Sequence, residues 1–361
     1  MNKETTYTIS LIVTHKCNLN CIYCYEQHKS ADALDVEDAK RYLVNAYNQI
    51  DFTKYDAVEI AFIGGEPLIE FERIVKISEW IWQQPWTHPC MLFATTNGTL
   101  LTERQKLWFT THKDRFVLGL SVDGNANMQN MNRSQSSAMI DYDFFRTQWP
   151  KQPVKMTISN LSLPYLAQGV IHLQETGFSV QANLAFGVQW KPTDLVVYRE
   201  QLNILMDYYL NNPNVQRCSL LNLDLLSVLL FSKEYRKYCG CGEGTTVIDT
   251  DGTRYPCIMF APLTLPKERF EQIRNMDFGD ESLFQSKECS LCLLRNLCPR
   301  CYGMSYLSYG DVKKQDSFMC QAFKIQFLSN CSFLQKMIEK GLVKMNKKEL
   351  KELLTIINTI I

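Results

Sequence analysis

Six short apolar or β-branched runs alternate with helically spaced stretches through the first half of this chain, and that alternation is what most constrains its fold. The runs are Tyr7 to Thr14, Ala57 to Ile63, Met91 to Thr96, Phe116 to Val122, Val154 to Asn160 and Ser179 to Phe186. Between the first of them, apolar residues recur at helical spacing: Val36, Ala39, Leu43, Ala46, Tyr47 and Ile50, then Phe71, Ile74, Val75, Ile81 and Trp82. Asp35 is placed to cap the first helix, Thr102 with Gln105 makes a capping box, and Gly177 ends the helix before the sixth run. Strict alternation predicts an α/β fold with parallel strands joined by right-handed crossovers. Six strands predict an incomplete barrel, not a closed eight-stranded one. Functional loops of such sheets gather at the strand C-termini.

The loop after the first run carries Cys17-Asn-Leu-Asn-Cys21-Ile-Tyr-Cys24. This spacing is a three-point thiolate mount for an iron–sulfur cube. Three protein ligands leave one of four irons open, and an open iron binds and reduces a small molecule. A zinc site is the alternative, but zinc sites pair one Cys-x2-Cys with another, and a Cys-x3-Cys-x2-Cys triplet at a strand end is unusual for that metal. The next three loops are also polar: Gly64-Gly65-Glu66-Pro67, Thr96-Asn97-Gly98 and Ser121-Val122-Asp123-Gly124. Each alone reads as an ordinary turn. Together they suit a ligand with cationic, ribose and amino-acid parts.

Composition narrows the class. Lys+Arg and Asp+Glu both number 38 in 361 residues, so charge gives no footprint for nucleic acid or a membrane surface. Ile9 to Val13 is too short for a signal peptide and no apolar run reaches 18 residues, which predicts a cytoplasmic chain with no membrane span. Fourteen cysteines in a chain of this size and compartment read as metal or redox sites, not as a disulfide framework.

Eight of those cysteines cluster between 239 and 320. Cys239 and Cys241 precede a hairpin from Thr246 to Tyr255, whose turn is Asp251-Gly252, and Cys257 follows it. Cys289, Cys292, Cys298 and Cys301 are spaced Cys-x2-Cys-x5-Cys-x2-Cys, with Cys320 beyond. Eight thiolates suffice for two fully ligated cubes, and the two Cys-x2-Cys pairs equally fit zinc ribbons. Cys90, Cys218 and Cys331 stand alone and read as small buried hydrophobes. The five histidines show no paired spacing; His15, two residues before the triplet, is the one placed to line the site, and structural roles are expected for all. The stretch from Met337 to Ile361 reads as an amphipathic helix with a solvated basic face.

Cys17, Cys21 and Cys24, with Tyr23 before the last cysteine and Gly64-Gly65-Glu66-Pro67 ending the second strand, resemble the radical S-adenosylmethionine (SAM) superfamily. The cysteine-rich third resembles the SPASM module that follows the barrel in peptide- and protein-modifying members. The resemblance implies a partial (β/α)6 TIM-like barrel over 1–235, a SPASM module over 236–325 and a helical tail over 326–361. It implies SAM as cofactor with three [4Fe–4S] clusters. Cys17, Cys21 and Cys24 would hold the SAM cluster. Cys239, Cys241, Cys257 and Cys301 would hold a first auxiliary cluster, and Cys289, Cys292, Cys298 and Cys320 a second. Adenine would lie near Tyr23 and the SAM amine on Gly64, Gly65 and Glu66. Asn97, Ser121 and Asp123 would face ribose and methionine, with Arg133 for the carboxylate. Two departures stand out: only Pro299 and Arg300 separate Cys298 from Cys301, where three residues are usual, and Cys239-Gly-Cys241 is tight for two ligands of one cube.

Within that group, sulfatase-type maturases place an Asp after the hairpin's final cysteine and a Gln before Gly-Gly-Glu-Pro. Here those positions are Ile258 and Ile63. An apolar side chain cannot take the proton released when a thiol or alcohol becomes a carbonyl. The expected function is therefore a radical SAM peptide maturase that forms a thioether or carbon–carbon cross-link, with formylglycine formation as the alternative. A non-catalytic iron–sulfur electron-transfer or scaffold protein is the alternative of another class. The partners implied are a peptide or protein substrate and a flavodoxin- or ferredoxin-type electron donor. With Cys17 so near the start, leader recognition is expected to come from a separate protein, to come from the barrel face and tail, or not to be needed. No residue stands out as the general base.

Overall fold

A computed structural model describes residues 5–225 and 237–360. The predicted boundary between 235 and 236 lies outside them, as does Ile361. Six strands alternate with helices as expected: β1 (Thr6–Thr14), β2 (Ala57–Gly64), β3 (Cys90–Thr96), β4 (Phe116–Leu120), β5 (Val154–Ile158) and β6 (Val180–Leu184). A hairpin follows, β7 (Thr245–Ile248) and β8 (Arg254–Tyr255). The chain packs as two compact units. The first takes residues up to Ser121, Arg133–Gln152 and Gly240–Gly279; the second takes Val122–Asn132, Pro153–Cys239 and Asp280 onward.

In the first unit β4, β3, β2 and β1 run parallel in that spatial order. Ile9, Leu11, Ile12 and Val13 of β1 are wholly buried, so this strand has apolar cover on both faces, as a central parallel strand does. It also needs a neighbour on its second edge. That neighbour is β7, paired in parallel from Thr8–Thr245 to Leu11–Ile248, with β8 antiparallel beyond it. The hairpin predicted as part of a C-terminal module is thus the far edge of the first unit's sheet. Helices α1 (Val36–Tyr47), α2 (Phe71–Ile81) and α3 (Glu103–His112) connect the strands. Asp35 caps α1 by accepting from the Glu37 and Asp38 amides, and the Thr102–Gln105 capping box opens α3.

The second unit holds β5 and β6 as a parallel pair, the helix Asp194–Asn211, the central cysteine motif and the helix Ser317–Glu339. Leu225, Leu294, Phe323, Phe327, Cys331 and Leu353 form a buried apolar cluster there, and Cys292 and Cys298 pack against it. The tail departs from expectation. Met337 belongs to the last turn of Ser317–Glu339, and a second helix, Lys347–Ile360, begins only later. The Leu342 N–H donates to the Met337 carbonyl (2.8 Å) and the Gly341 N–H to that of Ile338 (2.9 Å), a C-terminal cap with Gly341 at φ +70°. That glycine was the stop signal to read.

Candidate functional site

The site is built from the way β1 and β2 end. The β1–β2 register shifts between Ile12 and Thr14, a bulge that re-aims the chain into the cysteine loop. Opposite it, Gly64 has φ +138°, and a Cβ there would lie 2.2 Å from the Thr14 carbonyl oxygen. A Cβ on Gly65 would lie 2.2 Å from the Lys16 carbonyl oxygen and 3.0 Å from the Cys17 Cβ. The Gly65 N–H donates to Thr14 O (3.1 Å) and the Glu66 N–H to Lys16 O (2.8 Å). The glycines expected to approach a ligand thus bring the β2 turn against the segment that carries Cys17. Cys17, Cys21 and Cys24 are half-buried in one loop, where the Cys24 N–H donates to the Cys21 carbonyl (3.1 Å). Burial pushes the Cys17 and Cys24 thiols up, while the nearby Lys29 charge works the other way.

Glu66 is buried and fully engaged. Its Oε1 accepts from the Thr96 hydroxyl (2.7 Å) and the Leu68 N–H (3.1 Å), and its Oε2 from the Asn97 N–H (2.8 Å). Burial raises its pKa, while these donors and the Arg133 charge oppose that. Asn97 donates to Asn18 Oδ1 (2.9 Å), and its own oxygen accepts from the Thr99 hydroxyl (2.7 Å). Asn18 in turn donates to Thr99 (2.8 Å). The β3 turn is thereby sewn to the cysteine loop. Ser121 is held by its N–H donating to the Thr96 carbonyl (2.9 Å).

The Arg133 guanidinium carbon lies 5.4 Å from the Tyr23 ring centroid, so the two residues assigned to SAM form a cation–π pair. The next residues, Ser134 and Gln135, have φ +51° and +57°. Consecutive left-handed non-glycine residues cost energy and persist where the surroundings fix them. Here Ser134 accepts from the Asn20 N–H (2.8 Å), between Cys17 and Cys21. Composition and motif gave no signal for Glu26 and Lys29. Glu26 is buried and pushed up to about 8, by burial first, with the Lys29 charge opposing and that of Glu66 adding. Lys29 donates to the Leu19 carbonyl (2.9 Å). His15 is buried, with Nε2 2.6 Å from the buried Asp249 Oδ1 and Nδ1 3.1 Å from the Ser30 hydroxyl. It ties the start of the cysteine loop to the β7–β8 turn, a structural role.

Asp123 belongs to the second unit and is wholly buried. Its Oδ1 accepts from the Thr157 N–H (2.9 Å) and its Oδ2 from the Asn132 amide (3.0 Å). The carboxylate expected to face ribose is spent on joining β5 to the helix Ala126–Asn132. Asp123→Ala leaves those buried donors unmatched, and urea unfolding should show a loss of roughly 3 kcal/mol; an unchanged midpoint would return Asp123 to a ligand-facing role.

Of the downstream cysteines, Cys241 and Cys257 come together in the first unit, hydrogen-bonded to each other, which with burial raises Cys257 well above its ordinary value. Cys239 and Cys301 belong to the second unit. Cys289, Cys292, Cys298 and Cys320 all line one cavity of about 490 Å³ there. Ser286 caps the first turn by accepting from the Cys289 N–H (3.2 Å), Leu294 anchors the loop in the apolar cluster, and Cys320 lies in the first turn of Ser317–Glu339. Burial, with the neighbouring Cys320 thiol adding, pushes Cys298 up to about 12. Among the described residues no three Cys, His, Asp or Glu side chains converge on a single ion; the thiolates of a cube each take a different iron. Four thiols facing one roomy cavity fit a cluster. Cys218 and Cys331 are buried, as expected for isolated cysteines; Cys90 at the start of β3 is only half-buried, which still raises its thiol to about 12.

The family model of a 4Fe-4S single cluster domain matches residues 7–140. The chain is 24% identical over 364 residues to the cysteine-type anaerobic sulfatase-maturating enzyme of Clostridium perfringens, covering 85% of this chain and 91% of that one. It is 19% identical over 350 residues to the radical SAM cyclopropyl synthase TigE of Paramaledivibacter caminithermalis, covering 89% and 73%. Among solved structures, native anSMEcpe with bound AdoMet and Cp18Cys peptide superposes with a TM-score of 0.69 at 20% identity, over 93% of this chain and 99% of that chain. The likeness carries the fold: a mixed α/β, partial-barrel type with a cysteine-rich C-terminal portion. No helix among the described residues is long and apolar enough to cross a membrane.

Proposed function

We propose, from the premise that this chain is a radical SAM enzyme of the SPASM-containing maturase type, that it modifies a ribosomally made peptide by forming a thioether or carbon–carbon cross-link. Isoleucine at both 63 and 258 carries the choice of peptide over sulfatase. Ile258 opens the turn directly after Cys257, where formylglycine chemistry would want a proton acceptor, and its side chain cannot serve.

Held by Cys17, Cys21 and Cys24, a cube with one open iron supplies, with SAM, a 5′-deoxyadenosyl radical that removes a substrate hydrogen atom. The residues around it bind and orient. Arg133, stacked on Tyr23, offers a cation for the SAM carboxylate. Backbone carbonyls of the Gly64-Gly65 turn suit the amine, and the Asn97 side chain suits the ribose hydroxyls. The eight downstream cysteines supply ligands for two further clusters, and a small acidic electron-transfer protein of flavodoxin or ferredoxin type is the donor. A thiol-rich chain of this kind belongs in a reducing cytoplasm.

Anaerobic protein given dithionite and SAM should release 5′-deoxyadenosine and methionine, and iron should approach about twelve per chain. With a candidate peptide encoded beside its gene, the product should lose two hydrogens and gain no aldehyde. A hydrazide-reactive aldehyde would instead support the sulfatase-type alternative, favoured by the 24% identity over most of the chain. A cluster-replete sample that leaves SAM intact would sink the enzyme reading.

A further inference from the structure

Arg300 is a buried charge in the second unit. It lies between Cys298 and Cys301 in the shortened segment Cys298-Pro299-Arg300-Cys301, and it is only 7% exposed. Its Nη2 donates to the Lys313 carbonyl (2.8 Å) and the Val312 carbonyl (3.2 Å), both neutral acceptors. Its guanidinium carbon lies 4.9 Å from the Tyr302 ring centroid. These contacts fix the plane of the group. Its Nε is buried and has no acceptor among the described residues. An unmatched buried donor is destabilising, and a guanidinium cannot escape by losing its proton. Burying the cation costs more still unless an anion faces it.

The anion is supplied by the cavity that Arg300 lines. Cys289, Cys292, Cys298 and Cys320 line that cavity with it, as do Glu288 and Asp311. Four thiolates around iron in that cavity would supply Arg300 with both an acceptor and a counter-charge. Arg300 also lines a cavity with Cys301 and another with Cys298, so it forms a wall common to three cysteine-bearing cavities.

We propose that the Arg300 Nε–H is the donor reserved for a sulfur of the cluster held by Cys289, Cys292, Cys298 and Cys320, and that this cation sets the cluster's reduction potential. The inference rests on the reading that those four cysteines hold a cluster. Its sign follows from electrostatics. Taking up one electron from a dithionite-class reductant adds one negative charge and moves no proton, so a fixed cation and an N–H···S bond favour the reduced form and raise the potential. Arg300 is a tuning residue by this account, biasing the second auxiliary site towards accepting electrons.

The test uses the full-length chain, loaded anaerobically, with Cys17→Ala, Cys21→Ala and Cys24→Ala removing the first cluster's signal. In potentiometric electron paramagnetic resonance, Arg300→Gln should lower one remaining midpoint by the equivalent of about tenfold in the reduction equilibrium, roughly 59 mV for a one-electron couple. Arg300→Lys keeps the charge, loses Nε–H, and should fall between. Protein carrying isotopically labelled arginine Nε, with Arg300 intact and Arg295, the other arginine lining the cavity, replaced by Lys, should show nitrogen hyperfine coupling to the reduced cluster; this decides the matter if Arg300→Gln fails to fold. Unchanged midpoints or absent coupling in iron-loaded protein overturn the role of Arg300 while leaving the cluster in place. Zinc in place of iron at these cysteines overturns both.

Discussion

Alanine at any one of Cys17, Cys21 or Cys24 is expected to cut 5′-deoxyadenosine release by a factor on the order of a thousand or more, about 4 kcal/mol of barrier. Two thiolates do not hold a cube, so iron should fall by about four per chain. The loss should be local. The loop is fixed by backbone bonds from Gly65 and Glu66, by Asn18 with Asn97 and Thr99, and by Ser134 on the Asn20 amide, none of which uses sulfur. The three thiols are half-buried, so each replacement removes little packing. Thermal unfolding should stay close to that of the parent chain, and the remaining iron should persist at the downstream cysteines. Cleavage at the parental rate by any of the three variants would remove the triplet from the chemistry.

Gly65→Ala is expected to destabilise the first unit by more than about 3 kcal/mol and to empty the same cluster site. The added methyl would lie 2.2 Å from the Lys16 carbonyl oxygen, a backbone atom that cannot swing aside as a side-chain tip would. Relief requires the β2 turn to withdraw from Lys16 and Cys17, which breaks the Glu66 N–H to Lys16 bond and shifts the first thiol. Gly64→Ala adds a left-handed backbone penalty to a similar clash with Thr14 O. Urea unfolding and iron content test both. If Gly65→Ala folds and loads iron normally but loses affinity for SAM, the glycine serves the ligand and not the loop.

The sequence patterns made the sheet legible because β1 to β6 are short, apolar and punctuated by strong caps such as Asp35 and the Thr102–Gln105 box. The cysteines were legible because iron demands thiolates at restricted spacing. What escaped was three-dimensional accounting. Gly-Gly-Glu-Pro looks like ligand chemistry in one dimension, yet Glu66 meets Thr96, Asn97 and Leu68. Asp123 looks like a ribose ligand until Thr157 and Asn132, distant in sequence, are found on its oxygens. Arg300 stands in the sequence only as a spacer between Cys298 and Cys301; its burial in a cavity with four cysteines and its bare Nε distinguish it. The hairpin strand β7 was readable as a strand but not as the partner of β1, since parallel pairing across so long a loop leaves no local pattern.

That pairing has a consequence for biosynthesis. Thr8 and Thr245 become neighbours although roughly 240 residues separate them, and at about 5–20 residues per second the ribosome needs on the order of ten to fifty seconds to span the gap. Throughout that interval a strand whose Ile9, Leu11, Ile12 and Val13 are wholly buried in the finished fold emerges with one edge bare, and Cys17, Cys21 and Cys24 follow it as nascent thiols. Slow translation, aerobic growth or scarce chaperone should therefore depress the yield of soluble protein more than the stability of the finished fold suggests.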